Sequence, residues 1–169
     1  VGRGFAAAAP PATLETTVAA VNSALQRARA TLGDRVEVGA TDELTPAQLE
    51  MLERFVAAFE AYDVDALTSL LRDDVTFSMP PFELWLQGPD SVRAWLLGHG
   101  IGCKGSRVLP TAAAGAPAFA QYRAHADGVH RPWALLVLEL DGNLITGWNS
   151  FLEPEELFIR CGLPLELRA

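Results

Sequence analysis

The 169 residues are half hydrophobic and one-fifth charged, a globular composition with room for one sizeable domain and a smaller appendage. Apolar runs such as residues 133–138 are far too short to cross a bilayer, and no signal-peptide pattern opens the chain. A cytoplasmic address with no membrane partner is the expectation. Charge is unevenly placed: residues 1–35 hold four arginines against two carboxylates, a net of +2, and the remainder holds 9 basic against 19 acidic residues, a net of −10. An acidic body repels phosphate, so any nucleic-acid role belongs to the N-terminal piece.

In chain order, the first predicted element is a helix over residues 15–32. Thr16 or Thr17 can cap it, Val18, Val21, Leu25 and Ala28 fall at helical spacing, and Gly33 ends it. Residues 34–44, rich in Gly, Asp and Thr, read as a linker. Thr45-Pro46 then pairs a cap with proline at the first helical position. The stripe Leu49, Leu52, Phe55, Val56 and Phe59 predicts a helix to about Tyr62. Asp63 caps a short helix over 64–71 that closes in Arg72-Asp73-Asp74, and 75–79 alternates as a strand stopped by Pro80-Pro81. Gly88-Pro89-Asp90 is turn chemistry, with Asp90 or Ser91 capping a helix that carries Val92, Trp95 and Leu96.

From there the period changes to two. Strands are predicted at 107–112, 116–126, 133–140 and 144–152, with tight turns at Asp127-Gly128 and Asp141-Gly142-Asn143. The order helix, helix, strand, helix, then meander is α+β: a curved antiparallel sheet wrapped on helices, enclosing a pocket at one end. Phe77, Met79, Trp85, Trp95, Tyr122, Trp133 and Trp148 are the candidate lining of that pocket, suited to an apolar small molecule, although for each residue taken singly plain core packing is the favoured account.

Two stretches resemble known families. Residues 16–32, with Gly4-Phe5-Ala6-Ala7 ahead of them, resemble the recognition helix of region 4 in extracytoplasmic-function sigma factors and the turn opening the helix before it. Asp63-Val64-Asp65-Ala66-Leu67, Phe77-Ser78-Met79-Pro80-Pro81, Trp85-Leu86-Gln87-Gly88, residues 116–122 and Gly162-Leu163-Pro164 resemble the SnoaL-like extension carried by a subgroup of those factors, a nuclear-transport-factor-2-like (ketosteroid-isomerase-like) cone. The resemblance implies three parts: the end of region 4 over 1–33, a linker over 34–44 and a SnoaL-like domain over 45–169. It implies a role in transcription initiation, with core RNA polymerase and −35 promoter DNA as partners and the cone as regulator of an alternative sigma factor.

The polar residues of the first helix are of types that pair with base edges, namely Thr17, Asn22, Ser23 and Gln26, and Arg27 and Arg29 suit phosphates. From spacing alone, an amphipathic linker helix with a solvated arginine face is the favoured account of this segment, and it is the resemblance that reverses the preference. Pro10-Pro11 falls where the preceding helix of the motif should run, and interior proline costs about 3 kcal/mol. No stretch matches sigma region 2, so these residues alone are not expected to start transcription.

The rival reading is a stand-alone enzyme of isomerase, cyclase or epoxide-hydrolase type. Proton abstraction beside a carbonyl needs a carboxylate in an apolar pocket. The isomerases resembled place that base at the end of the first strand before a proline, which here is Met79, a thioether that accepts no proton. Asp73 and Asp74 read as solvated turn residues, and His99, His125 and His130 as loop residues. No catalytic residue, metal site or cofactor is therefore expected, and Cys103 and Cys161 read as unpaired thiols. A second rival is a ligand-binding homodimer that pairs through the outer face of the sheet.

Overall fold

The computed structural model describes residues 44–168. The chain divides into two compact units, Val1–Gly39 and Ala40–Ala169, and the described residues all belong to the second.

Helix α1, Pro46–Ala61, begins on a capping box: Gln48 N donates to the Thr45 hydroxyl at 3.2 Å, and Thr45 N donates back to the Gln48 side chain at 2.9 Å. It ends at Tyr62, which takes the left-handed conformation at φ 55°. The buried face is Met51, Leu52, Phe55, Ala58 and Phe59, so the stripe is rotated from the expected one. Leu49 lies half outside it and Met51 takes its place.

Helix α2, Val64–Ser69, is capped by Asp63, whose carboxylate accepts from Ala66 N at 2.9 Å. It stops two residues sooner than expected, because Leu71 already belongs to β1, Leu71–Ser78. Arg72, Asp73 and Asp74 are therefore strand residues, not a turn. Strand alternation sends Val75 and Phe77 inward and leaves this charged stretch, disturbed by a register shift, at the surface. A three-residue strand β2, Trp85–Gln87, pairs antiparallel with β1.

Helix α3, Pro89–Leu97, starts without a side-chain cap. Gly88 occupies the cap position at φ 80°, which only glycine adopts at no cost, and Pro89 supplies the preset first turn. Asp90 falls in that first turn instead of capping it. A 3-10 helix, His99–Cys103, leads to β3, Arg107–Ala113. Strands β4, Ala116–Ala124, β5, His130–Asp141, and β6, Leu144–Leu152, complete the meander, and a short helix α4, Glu155–Arg160, follows.

The six strands form one sheet in the order β2-β1-β6-β5-β4-β3. It is mixed and not wholly antiparallel, since β1 lies parallel to β6. The connection between them, with a helix and four strands inside it, is long enough for that arrangement. Helices α1 to α3 cover one face, where Phe55 meets Phe119 of β4 and Trp148 of β6 at ring-centroid distances of 5.3 and 5.2 Å. On the other face Phe158 of α4, fully buried, stacks edge-on against Tyr122 at 5.1 Å. The small side chains of Ala118 and Ala120 let α4 approach closely there.

Candidate functional site at the mouth of the cone

Five of the seven expected lining residues gather at one end of the sheet. Phe77 leaves the inner face of β1, Trp148 that of β6 and Trp95 the inner face of α3; their rings lie 5.0 Å (Phe77–Trp95) and 5.3 Å (Phe77–Trp148) apart. Met79, just past β1, and Trp133, near the start of β5, close the set. These side chains fill the interior almost completely: about 10 Å³ of space is left among them, at most one water's worth. The indole Nε1 of Trp148, 1% exposed, has no hydrogen-bond partner among the described residues. A buried donor left so costs on the order of 1–3 kcal/mol.

Trp85 and Tyr122 do not join this group. Trp85 stands in the short edge strand, 72% exposed. Tyr122 shares strand parity with Ala118 and Ala120, so it points to the outer face, where its hydroxyl donates to the Pro164 carbonyl at 2.9 Å.

Outside the filled interior the mouth opens into a cavity of about 190 Å³, whose walls include Met79, Phe82, Trp95, His99, Cys103, Arg123 and Trp133. A neighbouring hollow of about 380 Å³ shares Phe82, Trp133 and Leu152 and carries Glu153 and Glu155 on its rim. The Arg123 guanidinium carbon sits 4.1 Å from the centre of the Trp133 ring, a cation–π stack. Glycine makes this packing possible twice in the 3-10 helix: a Cβ on Gly100 would fall 2.5 Å from the Trp95 ring, and one on Gly102 2.4 Å from Arg123 Nη2. Gln121 donates to Ser106 at 3.0 Å beside them.

Two neutral acids flank the guanidinium. Burial, then the nearby Cys103 thiol, pushes the Tyr62 phenol up to about 12, against the opposing pull of Arg123. Its hydroxyl reaches the carbonyls of Leu96 and Gly100 at 2.8 and 2.7 Å, tying the end of α1 to α3 and the 3-10 helix. Burial likewise raises the Cys103 thiol, opposed by Gln121 and Arg123. Cys103 and Cys161 are both free.

No carboxylate lines the interior or the 190 Å³ cavity among the described residues. Asp74 pairs with Arg72 on the exposed part of β1, and Arg72 reaches on to Asp141 at 2.6 Å. His99 is exposed at the cavity edge, His125 is exposed in the β4–β5 turn, and His130 opens β5, its Nε2 3.1 Å from the Gly105 carbonyl. Among the described residues no cluster of His, Cys, Asp or Glu could hold a metal ion, and no helix is long and apolar enough to cross a membrane.

A further hollow, larger than these two, lies elsewhere and was not expected. A groove of about 420 Å³ runs between α1 and the β3–β4 hairpin, with Leu49, Leu52, Val56, Pro110 and Phe119 among its walls. The small residues of the hairpin, Thr111 to Ala118, leave that side of Leu49 uncovered, which is the signal the sequence offered. The candidate DNA-contacting residues Thr17, Asn22, Ser23, Gln26, Arg27 and Arg29, and the Pro10-Pro11 pair, lie outside the described residues.

An aromatic-filled cone on a curved sheet, with helices on its inner face, is the architecture of one family, and residues 52–148 match that family, the SnoaL-like domain. The chain belongs to it. Solved structures agree on the fold: an NTF-2-like protein from Burkholderia xenovorans superposes with a TM-score of 0.52 at 18% identity, over 63% of this chain and 82% of that one. An LEH-like epoxide hydrolase from Mycobacterium tuberculosis superposes with a TM-score of 0.51 at 21% identity, over 69% and 90%.

In sequence, the chain is similar to the ECF RNA polymerase sigma factor SigG of Mycobacterium tuberculosis, strains CDC 1551 and H37Rv, with 36% identity over 155 residues. The match takes in 88% of this chain, which spans 41% of the length of those curated relatives.

Proposed function

We propose that the chain is the C-terminal part of an extracytoplasmic-function sigma factor, in which residues 15–32 end region 4 and the SnoaL-like domain regulates the factor. The observation that carries this reading is the likeness to SigG, which extends beyond the SnoaL-like match to most of the chain. On it, core RNA polymerase and −35 promoter DNA are partners of the whole protein. The basic charge of residues 1–35 beside an acidic body supports the same division of labour.

Within that function the cone acts by binding rather than by chemistry. A thioether, Met79, takes the position where proton abstraction would need a base, and among the described residues the interior and the 190 Å³ cavity are lined by aromatic rings and no carboxylate. A small apolar molecule at the mouth is the proposed signal. α4 already occupies part of the outer sheet face, which reduces the area on which a second copy could pair. Light scattering is expected to find a monomer.

The test is promoter binding by the whole factor, with region 2 present. Arg27→Ala is expected to weaken −35 binding at every sequence and to flatten its salt dependence, whereas Asn22→Ala and Gln26→Ala change which base is preferred. Equal losses from all three substitutions would exclude the orientation proposed for the helix. Turnover of an epoxide or polyketide-like substrate that disappears on mutation of the cone would exclude the regulatory reading.

A further inference from the structure

The described residues hold nine basic side chains, and five of them are paired. Arg72 pairs with Asp74 and Asp141, Arg93 with Asp65, Arg131 with Asp127, Arg160 with Glu156 and Arg168 with Glu166. Arg54, Lys104 and Arg107 lie exposed, where water solvates them. Arg123 is different: it is half-buried, and among the described residues no carboxylate lies within ion-pair distance of it. Its flat guanidinium rests between the Trp133 ring and the backbone of Gly102, where a Cβ would have to push it aside. The two acids nearest it, Tyr62 and Cys103, are held neutral by burial, so neither supplies a counter-charge.

We infer that the mouth of the cone is a binding site for a monoanionic amphipathic molecule, an apolar ring or chain bearing one carboxylate, with Arg123 as the charge-reading residue. The inference rests on the proposal that the cone binds a ligand and is independent of the sigma-factor assignment. A guanidinium fixed by stacking presents its free N–H edge at a defined angle and suits the two oxygens of a carboxylate. The apolar body of the ligand lies against Phe82, Met79, Trp95 and Leu152 of the same cavity. A second donor waits beneath: the unpartnered Nε1 of Trp148 lines the narrow interior, whose walls share Met79, Trp95, Cys103 and Trp133 with the cavity.

Charge sets the other limits. Residues 36–169 carry a net of −10, so small inorganic anions gain little by approaching, and the apolar contacts must carry part of the affinity. Glu153 and Glu155 on the adjoining rim disfavour a second negative charge at the far end of the ligand.

The test uses the full chain, calorimetric titration, and two probes that differ only in charge: 2-naphthoate and its methyl ester. The native protein is expected to bind the acid about ten-fold or more tightly than the ester, and Arg123→Met to erase that preference while keeping ester binding. Arg123→Lys restores part of it. Gly102→Ala keeps the charge and, having no positive φ to strain, keeps the fold, but its Cβ displaces the guanidinium; it is expected to lower acid affinity several-fold and leave the ester unchanged. Acid binding that is indifferent to both Arg123→Met and Gly102→Ala overturns the inference while leaving the cone a ligand-binding body. Absence of binding by either probe up to millimolar concentration overturns both, with promoter recognition by residues 15–32 still standing on its own test.

Discussion

Phe55 is the residue on which the inner core converges, and its removal can be worked through in numbers. It is fully buried on α1 and touches three aromatic rings, Phe59, Phe119 and Trp148, at centroid distances of 5.8, 5.3 and 5.2 Å. Phe55→Ala removes the ring and leaves a cavity walled by other large rings that cannot collapse into it, a loss of about 3–5 kcal/mol. A domain of this size has only about 5–15 kcal/mol to lose. With roughly 3–5 °C per kcal/mol for some 125 residues, melting followed by far-UV circular dichroism should shift down by about 10–20 °C. Leu49→Ala on the same helix is the control, because Leu49 is 49% exposed and alanine is the better helix former; its shift should stay within about 3 °C. Equal shifts for the two variants, or a Phe55→Ala shift under about 4 °C, would refute the assignment of the core to that face of α1.

Phe158→Ala should release α4 from the outer face and make the segment after Leu152 sensitive to protease, with Leu157→Ala, at 37% exposure, leaving it resistant. The Tyr62 phenol is raised in the fold from its ordinary 10.0 to about 12, chiefly by burial. Its contribution is therefore whole below pH 10 and lost as pH rises toward 12. Tyr122 is raised to about 12 in the same way, so urea unfolding should weaken across that window, Tyr62→Phe should halve the slope, and an unchanged slope would contradict the burial. Asp127 shows the opposite sign: hydrogen bonds from Arg131 and Val129 N hold its carboxyl down at about 2, below the ordinary 3.8. Its support of the β4–β5 turn is present above pH 4 and disappears toward pH 2, and Asp127→Asn should remove that acid limb. The pair is exposed, so 1 M salt should shrink the effect.

What the sequence made legible was whatever carried its own local signal. Thr45-Pro46 and Gln48 wrote the start of α1 in side-chain chemistry, and the glycine-bearing turns marked the hairpins. Elements too short for a period were missed: β2 has three residues, and α4 has six, only one of which, Phe158, is buried. Pro132 hid the first turn of residues in β5, because a proline there argues against a strand; it is tolerated opposite Tyr122, where the β4–β5 register shifts. The misplacement of Tyr122 among the lining residues was avoidable. Phe119 and Gln121 face inward, and alternation from them assigns Tyr122 to the side of Ala118 and Ala120. The setting of Arg123 was illegible, since it is made by a glycine 21 positions earlier and a tryptophan across a turn.

The parallel pairing of β1 with β6 governs when this domain can exist at all. Phe77 finds its neighbour Trp148 across 70 intervening residues, the sort of distant contact that slows folding. During synthesis, β1 must wait without its parallel neighbour, and Phe77 without the Trp148 ring, until β6 has left the ribosome. Premature termination anywhere before Leu144 would deny β1 its parallel partner and strand an apolar edge in solution. Folding of this domain is thus gated on β6, and a polypeptide that stops short of that strand is expected to be cleared rather than to persist as a partly folded cone.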